Sequence, residues 1–576
     1  MKEKWMVYAK KADFDGISKR FGIDKVTARI LRNRDVYSDE DIRMYLEGDM
    51  SSCHSPHLMK DADKAAHIIK EKIEAGARIR IVGDYDVDGV CSTFILYKGL
   101  KALGAHVDYD IPDRIRDGYG INIRIIEDAK KSGVDTIITC DNGISAYSQI
   151  AYAKALGLTV IITDHHDVPF DDNGEVLPPA DAVVNPKQRA CSYPFDGLCG
   201  AVVAYKLIEI LYELFATVNV HKNMLTEAAG LATVADVMVL KDENRVIVKE
   251  ALKLMKESEI PGIRCLKELN NLYGKEIGAY HLGFIIGPSL NAGGRLDTAK
   301  KALDLLLAPN EAAAMPLAAE LKQLNDTRKE LTQRGIEEAV RQIEDSGIKN
   351  DKVFVVYLRN CHESIAGIIA GRIRELYNHP VFVLTDGEEL VKGSGRSIEG
   401  YHMYEGLSEV KELLEAFGGH PMAAGLSLKQ ENVETFRAAL NNNAQLDEEA
   451  FTRKIWIDVP MPFSYVTEQL VEELSGLEPF GNGNEKPLFA QKGLKIRRAG
   501  LIGKNKNVAK LILSDAAGAS VSAVIFSGAQ ELMDELNRKF GENFEGKEIS
   551  VVYYPTINEY NGNRTVQIVI QNYMIS

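Results

Sequence analysis

The hydrophobic pattern changes character several times along the chain, and each change marks a boundary. Residues 1–60 mix short stretches of helical period with turn residues (FDGISKRFGIDKVTARILRNR, YSDEDIRMYLEG) and carry no chemical signature, which predicts a small helical preface. From about residue 61 the pattern alternates: a helix over 61–75, the apolar run Ile79–Val82, another helix, the run Thr136–Thr139, a further helix, and the run Thr159–Thr163. Short β-rich runs separated by helices predict a parallel sheet covered on both faces, filling 61–245. Helical periodicity dominates from about 197 to 345. Its last stretch, 316–345, is long enough to bridge two domains, so 246–345 is expected to be a helical region with a connecting helix. Alternation resumes with Val353–Tyr357 and Val381–Leu384, a second α/β unit over 346–450. Past 451 the chain turns to short strands with Gly, Asn and Pro turns (KIWIDV, NVAKLIL, SVSAVIF, EISVVYY, TVQIVI), which predict a small closed or nearly closed β-barrel over 451–576.

The length of 576 residues, several times the ~150 of a typical domain, agrees with this division. Hydrophobic residues at 45% and charged residues at 26% place the chain among soluble globular proteins and exclude wholesale disorder. No run approaches the ~18 apolar residues that cross a bilayer, and the first residues lead into no signal-peptide core, so a cytoplasmic protein without membrane contact is expected. None of the seven cysteines lies in a CxxC or Cys/His array, which fits reduced thiols and excludes a structural zinc ribbon. A net charge of −14 lends no support to nucleic-acid binding by the chain as a whole. One stretch differs: 491–510 carries Lys492, Lys495, Arg497, Arg498, Lys504, Lys506 and Lys510 with no acid among them. Two readings stand open, a strand face that tracks a phosphate backbone and a merely solvated one.

Three β-runs of the first unit end in acid-rich loops: Val82-Gly83 leads into Asp84-Tyr85-Asp86-Val87-Asp88-Gly89, Thr139-Cys140 into Asp141-Asn142-Gly143, and Thr163 into Asp164-His165-His166. Sites in open parallel sheets form at the carboxyl ends of the strands, so these loops are expected to converge on one crevice. Carboxylates brought that close repel unless cations neutralise them. Carboxylate and imidazole ligands without thiolate favour Mn²⁺, with Mg²⁺ an alternative. Three acids at alternate positions can serve two ions, and two ions about 3.5–4 Å apart suit in-line phosphoester hydrolysis. The competing reading makes Asp86 and Asp141 helix caps and DG and NG simple turns. An EF-hand is excluded, because the twelfth position counted from Asp84 is Ile95.

The segments VGDYDVDG, CDNG, TDHH and ATVAD (232–236) resemble the four ordered motifs of the DHH phosphoesterases, and among them the RecJ-type single-strand-specific DNA exonucleases. LNAGGRLDTA (290–299), GSGRS (393–397), FGGHPMAAGLSL (417–428) and LEPFGNGN (477–484) follow in the family's order, so the resemblance covers nearly the whole chain. It implies Asp86 and Asp88 as a metal-binding pair with Asp84 beside them, Asp141 bridging two ions, and His165 and Asp236 completing the second ion with Asp88. His166 then faces the scissile phosphate, and Asp164 orients the histidines.

A strand-cutting enzyme needs a grip on phosphate. The glycine loops around Arg396 and Ser397, and around Gly419 and His420, can offer backbone amides and charge to an anion, or can be plain turns. The resemblance makes the second α/β unit a DHHA1 domain that binds substrate phosphates, adds Arg295 to the contacts, and makes the barrel an OB-type domain. That favours strand binding by Lys495, Arg497 and Arg498, with Phe489, Phe526 and Tyr560 either stacking on bases or filling the barrel. Cys361 and Ser364 stand where the family usually has tryptophan and glycine. The implied activity is 5′ to 3′ removal of mononucleotides from single-stranded DNA in recombination and repair, by a protein that need be no more than a monomer, with single-strand-binding protein and a helicase as implied partners. The alternatives are a phosphodiesterase for short oligonucleotides or cyclic dinucleotides, and an inactive replication scaffold of the Cdc45 type.

Overall fold

The computed structural model describes residues 2–575 apart from Glu542, Asn561 and the side chain of Tyr560. The chain divides into two compact units, one of residues 2–3, 54–238 and 250–453, the other of residues 4–53, 239–249 and 454–575.

In the first unit the apolar runs become strands because both faces of each are covered: every residue of Thr136–Cys140 is buried. Strands β1 (Arg78–Val82), β2 (His106–Asp110), β3 (Thr136–Cys140), β4 (Thr159–Thr163) and β5 (Ala182–Val184) form a parallel sheet in the order β2-β1-β3-β4-β5. The order reverses between β1 and β3, which opens a crevice at their carboxyl ends. Helix α1 (Val87–Ala102) leaves β1 through the first acidic loop and is apolar nearly all round. It lies under α2 (Gly200–Leu214) and α3 (Lys222–Ala235). Farther on come a short helix Ala279–His281, a π-helical turn Leu282–Ile286 and α4 (Gly287–Leu296) without interruption.

The long helix α5 runs Glu311–Asp345, 35 residues, and begins earlier than the sequence suggests. The Asn310 side chain accepts from Ala313 N and sets the start, while Pro316, in the second turn, removes one helical hydrogen bond. Ala339 and Ile343 of α5 share a core with Phe354, Val356, Ile365 and Ile369. That core ties the helix to a second sheet of β6 (Phe354–Tyr357), β7 (Val381–Asp386), β8 (Val391–Arg396), β9 (Ala416–His420) and β10 (Ala423–Leu428), in the order β9-β10-β8-β7-β6. Only β6 and β7 are parallel, and α6 (Glu363–Tyr377) packs on β7 and β8.

The second unit holds a closed five-stranded barrel of β11 (Phe489–Ile502), β12 (Val508–Ser514), β13 (Ser520–Ile525), β14 (Glu548–Tyr560) and β15 (Asn563–Ile575), in the order β11-β12-β13-β15-β14 and back to β11. KIWIDV is not one of its strands. Arg453–Ile457 pairs with Glu3–Val7, and the fifth barrel strand is the basic stretch itself, whose Leu494 and Ile496 point inward between exposed cations. Helices Phe14–Phe21, Lys25–Asn33 and Asp39–Glu47 share a core with the barrel. Two buried arginines fasten this unit. Arg34 holds Asp458 through Nη1–Oδ1 at 2.7 Å and Nη2–Oδ2 at 3.1 Å. Arg245 donates to the carbonyls of Tyr45, Leu477 and Gly476 at 3.0, 2.9 and 3.3 Å, with its guanidinium 4.0 Å from the Tyr45 ring centroid. No helix among the described residues is long and apolar enough to cross a membrane.

Replacing Arg245 with Ala takes a donor from the carbonyls of Tyr45 and Gly476, while Leu477 O keeps Asn484 Nδ2 and the Tyr45 hydroxyl, so the variant is expected to lose about 1–3 kcal/mol of stability in urea unfolding. A loss under ~1 kcal/mol would show that water replaces the guanidinium at no real cost.

Candidate active site

The three acidic loops meet at the crevice between β1 and β3. Asp86 is the N-cap of α1, its Oδ1 accepting from Gly89 N at 3.1 Å, so the capping reading holds for it without excluding a second role. Asp88, in the first turn of α1, lies buried, and its two oxygens accept from Gly200 N at 2.7 Å and Ala201 N at 2.8 Å, the first amides of α2. Those amides and the helix dipole stabilise its charge. Asp141 caps nothing. Its backbone is left-handed (φ 60°), a conformation Asp tolerates, and its carbonyl accepts from the Tyr119 hydroxyl at 2.8 Å. A Cβ on Gly200 would stand 2.7 Å from Asp141 Cβ, so only glycine lets α2 begin this close.

Asp164 is buried and fully engaged. Its Oδ1 accepts from the amides of His165 and His166 and from His166 Nδ1 (2.8 Å), and its Oδ2 from Ile144 N (2.9 Å). It therefore orients the ring of His166, but it touches only the backbone of His165. The ring of His165 turns the other way: Nε2 lies 3.1 Å from Asp141 Oδ1, 3.5 Å from Asp88 Oδ2 and 3.7 Å from Asp236 Oδ2. Asp236, at the C-cap of α3, reaches the cluster from across the crevice.

These side chains form three overlapping groups whose donor atoms lie within 4.8 Å of one another: Asp84, Asp86 and Asp141; Asp88, His165 and Asp236; and Asp141, His165 and His166. Burial and then mutual repulsion push carboxyl pKa values up: Asp84 beside Asp86, Asp86 beside Asp88, Asp141 beside Asp88, and Asp236 to about 8. Burial lowers His165. Burial also disfavours the His166 imidazolium, but the Asp164 carboxylate, with Asp236 and Asp88 behind it, outweighs this and raises it to about 9. Asp141 Oδ1 is buried with no hydrogen-bond donor. Buried carboxylates with a spare lone pair, imidazoles and no thiolate make a donor set that fits Mn²⁺ or Mg²⁺.

Beside the cluster lies a group of arginines. Arg295, on α4, is lowered to about 10 by burial and by the charges of Arg114, Arg328 and Arg396, and its Nη1 donates to Ser364 O at 2.8 Å. Burial lowers Arg328 and Arg396 as well, the latter also facing Arg374. Guanidiniums gathered this closely around Arg295 and beside Asp86 make a ready anion site. Ser397 is not brought to it: that side chain is buried and its hydroxyl donates to Tyr401 O at 2.6 Å, whereas Ser394 Oγ lies 3.3 Å from Arg396 Nη1. Gly419 lies exposed in β9, and His420 lines a cavity of about 390 Å³ with His166, Tyr119, Asp167 and Lys187. Cys361 sits before α6 and Ser364 in its first turn, so the departure at Ser364 falls where Arg295 docks.

Several contributors carry no motif of their own: Arg114, Tyr119, Lys187 and Arg328; Asn291, within LNAGGRLDTA but not singled out there, accepts through Oδ1 from Val87 N at 3.1 Å and steadies the first acidic loop. Arg114 and Tyr119 stand in the loop after β2, which the strand-end rule also points to. In the second unit, Lys495, Arg497 and Arg498 are exposed on β11, and a bulge between Ile496 and Arg498 turns two successive arginines outward. Phe489 is buried in the barrel, Phe526 is 60% exposed, and the Tyr560 side chain lies outside the described residues.

Residues 78–235 match the DHH family N-terminal domain, 350–445 the DHHA1 domain and 457–572 the RecJ OB domain. The single-stranded-DNA-specific exonuclease RecJ of Bacillus subtilis is 35% identical over all of this chain and 71% of its own length, and that of Escherichia coli 32% identical over 94% and 95%. The chain belongs to the RecJ family. A structure of Thermus thermophilus RecJ with Mn²⁺ superposes with a TM-score of 0.83 at 27% identity, covering all of this chain and 80% of that one; another with Mg²⁺ gives 0.77 at 26%, covering 99% and 78%. RecJ proteins have thus been crystallised with both ions that suit this donor set.

Because Asp141 and Asp236 are raised above the ordinary Asp value in the cation-free protein, cation binding must displace protons. Mn²⁺ affinity is expected to climb from pH 6 to about pH 8.5, with proton release visible by calorimetry in buffers of different ionisation enthalpy; a flat profile counts against the ligand set. The same shift carries a sign for stability. A carboxyl whose pKa is higher folded than unfolded costs stability as pH rises from its unfolded value through its folded one. The cation-free Asp141→Asn variant should therefore melt above the parent at pH 8, with the gap closing toward pH 4; equal melting at both pH values would sink the repulsion argument.

Proposed function

We propose that this chain is a metal-dependent exonuclease that cuts single-stranded DNA, with Asp84, Asp86, Asp88, Asp141, His165 and Asp236 holding two divalent cations, preferably Mn²⁺. The observation that carries this reading is the meeting of acids and histidines at the strand-order reversal, in a chain similar to RecJ along its whole length. Polarity from the 5′ end, release of mononucleotides, a part in recombination and repair, a cytoplasmic monomer, and work beside single-strand-binding protein and a helicase belong to the same reading.

The cations, when bound, lower the pKa of water and offset charge developing on phosphorus-bound oxygens. The protein supplies the rest. Arg295, Arg114, Arg328 and Arg396 grip a phosphate beside Asp86 and fix where the backbone lies, with His420 and Lys187 on the far rim of the crevice. His166, held by Asp164 and charged below about pH 9, presents an N–H to a non-bridging oxygen of the scissile phosphate. Tyr119 braces the Asp141 carbonyl and lies 3.1 Å from His166 Nδ1, so cluster and imidazole keep their spacing. Burial of the cluster keeps bulk water from competing for the acids. The exposed cations of β11 are a second contact for the backbone, and their removal should flatten the salt dependence of binding.

The test uses purified protein with Mn²⁺ and oligonucleotides labelled at either end, single-stranded and duplex. Immediate release of a labelled mononucleotide from the 5′-labelled single strand, with blunt duplex resisting and EDTA stopping all cleavage, is the expected result. Binding without cleavage would favour an inactive scaffold, and cutting of dinucleotide-sized substrates alone would favour a small-substrate phosphodiesterase. Asp141→Ala should abolish hydrolysis and keep most of the DNA affinity. Arg328→Met should raise KM several-fold more than it lowers kcat, and equal loss in both would remove that arginine from ground-state binding.

A further inference from the structure

Two exposed aromatic rings stacked on each other make a contiguous apolar surface, and the first unit carries such a pair on the helical run that packs against the turn before Asp236. Tyr280 and Phe284, four residues apart, are 65% and 61% exposed, with ring centroids 5.0 Å apart and planes within 22°. They project from the helical run 279–296 at its π-helical turn, a local widening that is frequent at functional sites. The run is held firmly: Gly278 N donates to His281 Nδ1 at 2.9 Å and closes its start, and the His281 ring meets Tyr280 edge-on.

The position of the pair follows from what the same run touches. A Cβ on Gly283 would stand 3.4 Å from Val234 Cγ1, and one on Gly287 3.3 Å from Ala235 Cβ, so the π-helical turn lies against the last turn of α3, immediately before Asp236. Farther along, Asn291 grips the first acidic loop and Arg295 joins the arginine group. One helical axis thus carries the phosphate grip at one end and the aromatic pair at the other. Phe284 and Arg295 are eleven positions apart, about 16 Å at 1.5 Å per residue, a span that a few nucleotides of extended strand cover.

We propose that Tyr280 and Phe284 form a stacking platform for the bases of the single strand outside the cut, a binding site additional to the metal ligands and the arginines. The pair is already stacked, so each ring offers its outer face, and every nucleobase has a flat face to match. The site selects for unpaired strand because a base enters the stack only when its face is free, and it reads no sequence. This inference rests on the single-strand reading above and assigns the part of the surface that holds the strand between successive cuts.

The experiment measures binding of the full chain to a fluorescein-labelled single strand in EDTA, by anisotropy, and then its degradation with Mn²⁺. Tyr280→Ala and Phe284→Ala are each expected to weaken binding about fivefold or more and to shorten the run of nucleotides removed per encounter. Tyr280→Phe and Phe284→Tyr keep a ring and are expected to restore both, which separates stacking from folding. An abasic site is then moved along the strand. At the positions that meet the platform it should weaken binding to the parent, and Phe284→Ala should add nothing to that loss. Parent-like binding and degradation by both alanine variants would overturn the proposal and leave the pair as a face for a protein. A loss of the same size wherever the abasic site is placed would overturn it as well. If the parent binds and stacks as described but never cuts with Mn²⁺, the platform stands and the exonuclease reading fails.

Discussion

The structure is organised around a repulsion. Six aspartates and two histidines crowd one end of a parallel sheet, and burial removes the water that would otherwise screen them. Nothing in the sheet itself requires this. The strands would pair equally well with neutral residues in those loops, and the cation-free protein would be steadier for it. What the crowding creates is a place where doubly charged cations are more favourable than protons. Asp88 is fed by two helix amides, Asp164 by three amides and an imidazole, and Asp141 is held in a left-handed turn, so the acids cannot relax apart.

The arginine group is the counterpart of the acids, equally crowded and of opposite sign. Arg114, Arg295, Arg328 and Arg396 come from the loop after β2, from α4, from α5 and from β8, and they lower the pKa of Arg295 in the absence of any anion. On the reading proposed above, a phosphodiester lies between the two groups and satisfies both. That position would give the long helix joining the two α/β domains a part in the site: Arg328 is on that helix, and the helix core includes Val381 and Val383 of β7, the strand next to the one that ends in Arg396.

Much of this was legible in the sequence because it is written in loops. The acid-rich strand ends, the glycines and the apolar runs fix the parallel sheet and its carboxyl-end crevice without coordinates, and the ordered motifs extend the reading to the second domain and the barrel. What escaped depends on side chains whose role is set by tertiary contact. Arg328 lies within an ordinary amphipathic helix, and nothing local distinguishes it from Arg334 or Arg341. Ser397 looked like a phosphate ligand through its place in GSGRS, yet the hydroxyl closes a turn onto Tyr401, and Ser394 sits beside Arg396 instead. The barrel's fifth strand was hidden by its own charge. Alternating Lys495 and Arg497 drew attention from Leu494 and Ile496, and the bulge that exposes both Arg497 and Arg498 breaks the period that would have revealed it. Phe489, which the sequence leaves open between stacking on bases and filling the barrel, fills the barrel.

The separation of Asp86 from Arg396 along the chain has a consequence for synthesis. The first acids leave the ribosome about three hundred residues before Arg396 does and the last, Asp236, 160 residues before it, which at 5–20 residues per second leaves about 8–32 s between the last acid and the last arginine. During that interval the nascent chain holds every acid of the cluster but has no completed arginine group against which to hold a strand. The long helix must be made, and must find its sheet, before the two halves can meet. The topology therefore orders the parts: on the reading proposed above, the acids that would hold cations are complete before the arginines that would present a strand to them.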